Sequence, residues 1–108
     1  MPLLFSQHLN QLIKHDTDEA SKRYDIPKRL FKDRNKKDVD KILLDYYKHI
    51  IDRVKKEQDC LPSVISKKEM RRRLGQYKIP RQFQVQMVVD MDRKGFIKIH
   101  NRYRVIIF

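Results

Sequence analysis

Phe83-Gln84-Val85-Gln86-Met87-Val88-Val89-Asp90-Met91-Asp92 decides the fold, because it fits two periodicities. With period two, Phe83, Val85, Met87, Val89 and Met91 share one face of a strand. With helical spacing, Phe83, Met87, Val88 and Met91 share a face instead. The flanks favour the helix: Pro80 suits its first position, Arg93-Lys94 complement the negative end of its dipole, and Gly95 suits a left-handed cap. Phe96 would then pack back on Met91 as the contact of a Schellman ending. A strand of this length would also exceed the usual length of about five or six residues. The strand alternative has chemical consequences, since Asp90-x-Asp92 at its end would suit Mg²⁺. Against that, the chain has two glycines, no Walker loop and no third carboxylate in a partner motif, and solvated helical acids are the simpler reading.

Upstream, Ser66-Lys67-Lys68-Glu69 matches a capping box, so a helix is expected to start at Ser66. Met70 and Leu74 would face the core, and Gly75 would end the helix in the left-handed conformation. Gln76 to Ile79 is then a turn between two helices. Downstream, Ile97, Ile99, Tyr103, Val105 and Ile107 alternate with Lys98, His100, Arg102 and Arg104. This predicts a hairpin with an apolar and a cationic face, turning near Asn101-Arg102. Ser63-Val64-Ile65, after Leu61-Pro62, would pair with it as a short strand.

Toward the amino end, Val39, Ile42, Leu43, Tyr46, Tyr47, Ile50, Ile51 and Val54 recur every three or four residues, predicting a helix from about Lys37 to Gln58. Its other face carries Lys41, Asp45, Lys48 and Asp52. Leu3, Leu4, Phe5, Leu9, Leu12 and Ile13 form a shorter stripe, which must pack on this core or on a partner's. Asp16 or Thr17 would cap a short helix through Tyr24, and Pro27 would open a turn carrying Leu30 and Phe31. The expected fold class is therefore mainly α with a small antiparallel hairpin (α+β). Residues 1–35 would be a helical extension or connector and a candidate dimerising element, and residues 36–108 the main domain.

The 108 residues carry a formal charge of +12, and they hold 40% hydrophobic residues, enough for one modest core. Residues 61–108 contain twelve Lys/Arg and three acids, a net of +9, so the charge sits mostly on the segment with the helix-turn-helix pattern. That balance points to a polyanion. The absence of a basic start followed by a long apolar run predicts an intracellular protein without membrane association. Cys60, the single cysteine, is expected as a structural thiol, and a bridge between two copies stays open. His8, His15, His49 and His100 lack metal-ligand spacing with one another or with Cys60, so no metal or other cofactor is expected.

The order helix, strand, helix, turn, helix, hairpin over about Lys37 to Phe108 resembles the winged helix-turn-helix DNA-binding superfamily. Val88-x-x-Met91-x-x-x-Gly95-Phe96-Ile97 is similar to the end of the recognition helix and start of the wing in MarR-like regulators. The small size, basic character and short wing also resemble compact winged-helix proteins of archaeal viruses and plasmids. The wing lacks an Asp-Arg-Arg type tip, and the amino-terminal segment lacks the long dimerising helices of MarR-like members. The resemblance implies a transcriptional regulator that reads double-stranded DNA.

On that reading Arg81, Gln82, Val85 and Gln86 at the start of the second helix would meet base edges in the major groove. Lys67, Lys68, Arg71, Arg72, Arg73 and Lys78 would meet phosphates, and Lys98, His100, Arg102 and Arg104 would place the wing on the backbone. A homodimer is expected from the surplus apolar surface of the amino-terminal helix and of Tyr46 and Tyr47. No small-molecule ligand is evident. The competing reading is a winged-helix protein-interaction or replication-complex module without sequence-specific DNA readout, although Arg71-Arg72-Arg73 would have no purpose there. RNA binding would call for exposed aromatics on the reading helix, which has none.

Overall fold

The structure, a computed structural model, describes residues 3–31 and 38–108. It is mainly helical with one small antiparallel sheet: α1 (Phe5–His15), α2 (Thr17–Tyr24), a 3₁₀ turn (Lys28–Phe31), α3 (Val39–Lys56), β1 (Ser63–Ser66), α4 (Lys67–Gly75), α5 (Arg81–Arg93), β2 (Ile97–Ile99) and β3 (Arg104–Ile107). The start of α3 expected at Lys37 and the expected 35/36 boundary lie outside the described residues.

The decisive segment is helical. Phe83, Met87, Val88 and Met91 are buried, while Val85 and Val89 stay exposed. Pro80 is the cap residue rather than the first helical one: its φ of −61° and ψ of 149° are extended, and its carbonyl accepts from the amides of Phe83 and Gln84. At the other end Gly95 has φ +83°, and the amides of Phe96 and Gly95 donate to the carbonyls of Met91 and Asp92. These two bonds are the Schellman pattern, and they turn the chain directly into β2.

Two expectations about α4 need correction. Ser66 does cap it, accepting from the Glu69 amide at 2.9 Å, but the Glu69 carboxylate turns away to Arg72 and Arg73. Gly75 ends α4 without a positive φ; the left-handed residue of the following turn is Lys78, at φ 66°. Its side chain meets Asp25 at 3.4 Å and the Lys22 carbonyl, partners about fifty residues away that a local pattern does not reveal.

The sheet order is β1-β3-β2, with Ile65 and Ile99 both opposite Val105, and Ser63 and Ile97 both opposite Ile107. Ile97, Val105 and Ile107 seal the core. Tyr103 does not join that face and is 69% exposed. It lies in the turn, where Asn101 Oδ1 accepts from the amides of both Tyr103 and Arg104, so it sits beyond the last paired residues.

One buried cluster runs from Phe5 to Ile107. Phe5, Leu9 and Ile13 of α1 belong to it, as do Ala20 and Tyr24 of α2 and Phe31 of the 3₁₀ turn, so the amino-terminal helices cap this chain's own core. Asp16 caps α2 by accepting from Asp18, as its position predicts. Tyr46 and Tyr47, read from sequence as surplus apolar surface, are buried. The Tyr46 hydroxyl donates to the Tyr24 carbonyl at 2.5 Å, and the Tyr47 hydroxyl to Asp90 Oδ2 at 2.7 Å. Burial pushes both phenols well above their ordinary range.

Candidate nucleic-acid interface

α4, α5 and the β2–β3 hairpin are held together by three polar links besides their shared core. The Lys67 amide, in the first turn of α4, donates to the Tyr103 carbonyl in the hairpin turn at 2.7 Å. Asp92 Oδ1, near the end of α5, accepts from the Ile99 amide at 3.2 Å. Gln84 Nε2, on α5, donates at 2.8 Å to the carbonyl of Ile79 in the turn that joins α4 to α5. The hairpin is thus pinned to the start of α4 and to the end of α5.

These linked elements also carry cations without a carboxylate partner. Of the twelve Lys/Arg in residues 61–108, Arg72, Arg73, Lys78 and Lys94 have carboxylate partners. Lys67, Lys68, Arg71, Arg81, Arg93, Lys98, Arg102 and Arg104 have none among the described residues. The start of α4 contributes three, the outer face of α5 two, and the hairpin three. Register puts Arg104 opposite Ser66, next to Lys67, so the α4 and hairpin cations are contiguous.

The residues singled out from the sequence divide accordingly. Arg81 and Gln82 are exposed at the start of α5, where no side chain caps the helix and no acid occupies the first turn. Val85 follows them on the surface at 53% exposure. Gln86 is half-buried: its Oε1 accepts from the Phe5 amide at 3.1 Å and its Nε2 donates to the Leu3 carbonyl at 3.2 Å. It secures the start of α1, and its base-reading atoms are engaged within the chain.

Among the phosphate candidates, Lys68 is exposed and Lys67 and Arg71 are half-exposed. Arg72 forms a two-bond contact with Glu69, at 2.9 Å and 2.6 Å. Arg73, only 20% exposed, bridges Glu69 and Glu57 and so ties α4 to the end of α3. These contacts hold the Glu69 carboxyl at a pKa of about 2, the Arg72 hydrogen bond acting most strongly. Lys78 is tied to Asp25, as above. Lys98, His100, Arg102 and Arg104 are all exposed on the hairpin, and the Arg102 guanidinium lies 5.9 Å from the centre of the Tyr103 ring.

Three surface residues have only structural places in the sequence reading. Val89 (47% exposed) and Arg93 continue the outer face of α5 from Gln82 at seven- and eleven-residue spacing, a stripe that a helical wheel centred on Gln82 would have shown. Tyr103 is the third, displaced from its apparent periodicity by the turn. The Asp90-x-Asp92 pair does not form a cation site: Asp90 binds Tyr47 and Lys94, Asp92 binds Ile99, and the two carboxylates serve different neighbours. No cluster of three or more His, Cys, Asp or Glu able to hold a metal occurs among the described residues, and no described helix is long and apolar enough to cross a membrane.

No protein-family model, curated protein or solved structure matches the chain.

Proposed function

We propose that residues 39–108 form a winged helix-turn-helix that binds double-stranded DNA, with α5 in the major groove and the β2–β3 hairpin as a short basic wing. The observation that carries this reading is the set of eight cations on α4, α5 and the hairpin that have no carboxylate partner among the described residues, with those of α4 and the hairpin side by side. Supporting it, the order helix, strand, two helices, hairpin, with the first strand paired beside the last, suits a helix presented outward on a three-stranded base.

Division of labour follows from chemistry. Arg81 pairs with guanine O6 and N7, Gln82 with adenine N6 and N7, and Val85 meets a thymine methyl. Lys67, Lys68, Arg71, Arg102 and Arg104 contact phosphates and give affinity without sequence choice. A sequence-selective protein of this kind acts as a transcriptional regulator.

The test is a labelled-duplex titration across a salt series with the wild-type chain, Arg81→Ala and Gln82→Ala. The reading expects affinity that falls steeply with salt, and about 1–3 kcal/mol of lost discrimination in each variant with the salt slope nearly kept for Gln82→Ala. Salt-insensitive binding, or none, overturns it. One observation favours a second reading, a protein-contact module: Leu4, Val85 and Val89 line an open groove of about 510 Å³ between the start of α1 and α5. Under that reading Val89→Lys abolishes partner binding, whereas under the first it leaves duplex affinity unchanged or raised.

A further inference from the structure

A second cationic concavity, of about 780 Å³, opens between the 3₁₀ turn and the solvent side of α3, and it uses no residue of the α4–α5–hairpin surface. Leu30 and Ile42 form part of its wall. Arg29 enters from the turn, and Lys41, Arg53 and Lys56 from α3, none of the four having a carboxylate partner among the described residues. Lys48 is neutralised by Asp52 at 2.8 Å, and Asp45 is the remaining acid on the rim. Five cations therefore face two acids.

Arg53 is positioned rather than merely solvated. Arg53 lies over the Tyr77 ring at 5.8 Å, and His49 meets the same ring edge-on at 6.1 Å, so the inner wall is fixed by a buried aromatic. His49 lies within the field of both guanidinia. Burial first, then Arg29 and Arg53, lower its pKa, with Asp52 opposing them. Guanidinium groups on two elements, with lysines at either end, suit a row of phosphate oxygens, because each planar fork donates two parallel hydrogen bonds. The size lies within the range of ligand clefts.

We propose that this cleft binds consecutive phosphate groups, with Arg29 and Arg53 as the principal ligands and Lys41 and Lys56 extending the site. The phosphates come from a free polyphosphate or from the backbone of a second nucleic-acid strand. In either case His49 reports occupancy: bound phosphate cancels the field of the two arginines, so the imidazole becomes easier to protonate.

The experiment follows the four histidines of the full chain by proton NMR as pH is varied, with and without inorganic triphosphate. Saturable binding should raise the His49 pKa by roughly half a unit or more while His8 and His15 stay fixed. Arg29→Gln and Arg53→Gln should each weaken the response at least several-fold, and Arg53→Lys should restore part of it. Arg29 is exposed, so its variant remains informative if loss of the Tyr77 contact disturbs the Arg53 variants. An unmoved His49, equal movement of all four imidazoles, or an intact response in the Arg29→Gln/Arg53→Gln double variant overturns the proposal. A short duplex added to the Arg81→Ala/Arg102→Ala chain separates the sources: a His49 response identifies a second strand, and a response to triphosphate alone identifies a free polyphosphate. The readout does not depend on whether the α5 surface binds DNA.

Discussion

α4 and α5 are adjacent helices of similar importance to the basic surface, yet they make charge available in opposite ways. α4 carries five cations, Lys67, Lys68, Arg71, Arg72 and Arg73, around a single acid, and that acid engages the last two of them. α5 carries only Arg81 and Arg93, and both are unpaired among the described residues, on a face that also exposes Gln82, Val85 and Val89. A run of arginines therefore overstates what a helix offers to a partner. Glu69, three and four residues before Arg72 and Arg73, sits where helical geometry brings side chains together.

The comparison breaks most easily through the core that orients both helices. Met87 is 1% exposed, and Met87→Ala should cost about 2–5 kcal/mol of stability, checked by chemical denaturation. The same truncation two residues earlier, Val85→Ala, should stay within about 0.5 kcal/mol, because that side chain faces solvent. Equal losses at the two positions would remove the assignment of inner and outer faces.

Next in size, Tyr47→Phe removes a hydrogen bond to the Asp90 carboxylate and should cost about 1–3 kcal/mol, read from the same unfolding curves. If α5 is positioned on α3 partly by that bond, the variant also weakens duplex binding with an unchanged salt slope.

Replacing Lys67, Lys68 and Arg71 together by Ala should make the slope of log affinity against log salt shallower by about 2.7, at about 0.9 for each phosphate contact. Arg73→Ala should scarcely change that slope and should instead lower stability, since it unties α4 from Glu57. Equal slope changes in the two cases would erase the distinction between free and paired cations.

Glu69→Gln sharpens it from the other side by releasing Arg72, while Arg73 stays tied to Glu57, so the slope should steepen by up to about 0.9. The same carboxylate makes a smaller, pH-dependent contribution. Its folded pKa, about 2, lies below its ordinary value of 4.5. Its contribution to stability is therefore complete above about pH 4.5 and is lost as pH falls toward 2. Acid titration of the melting temperature should show that limb in the wild type, and the limb should be reduced in Glu69→Gln.

Legibility followed the same division between local and distant causes. Ser66 at its cap, Gly95 in its left-handed turn, the choice of helix over strand at residues 83–92 and the long helix, expected to about Gln58 and ending at Lys56, all came from neighbours within a few positions. The roles of Gln86, Arg73 and Lys78 depend on Phe5, Glu57 and Asp25, which no periodicity around those residues indicates. Tyr103 was misplaced because a four-residue turn interrupts the alternation that predicted it.

By itself the sequence determined the helices, the hairpin and the concentration of charge in residues 61–108, because capping, helical spacing and alternation act over one or two turns of chain. Tertiary structure alone decided that Tyr46 is buried against α2 and Tyr47 against α5, and that Arg73 is tied to Glu57. It also decided that the cations of α4 and of the hairpin lie side by side, through the pairing of Ser66 with Arg104. Each of these depends on which carboxylates and apolar faces the folded chain brings within a few ångströms, and that information is not local.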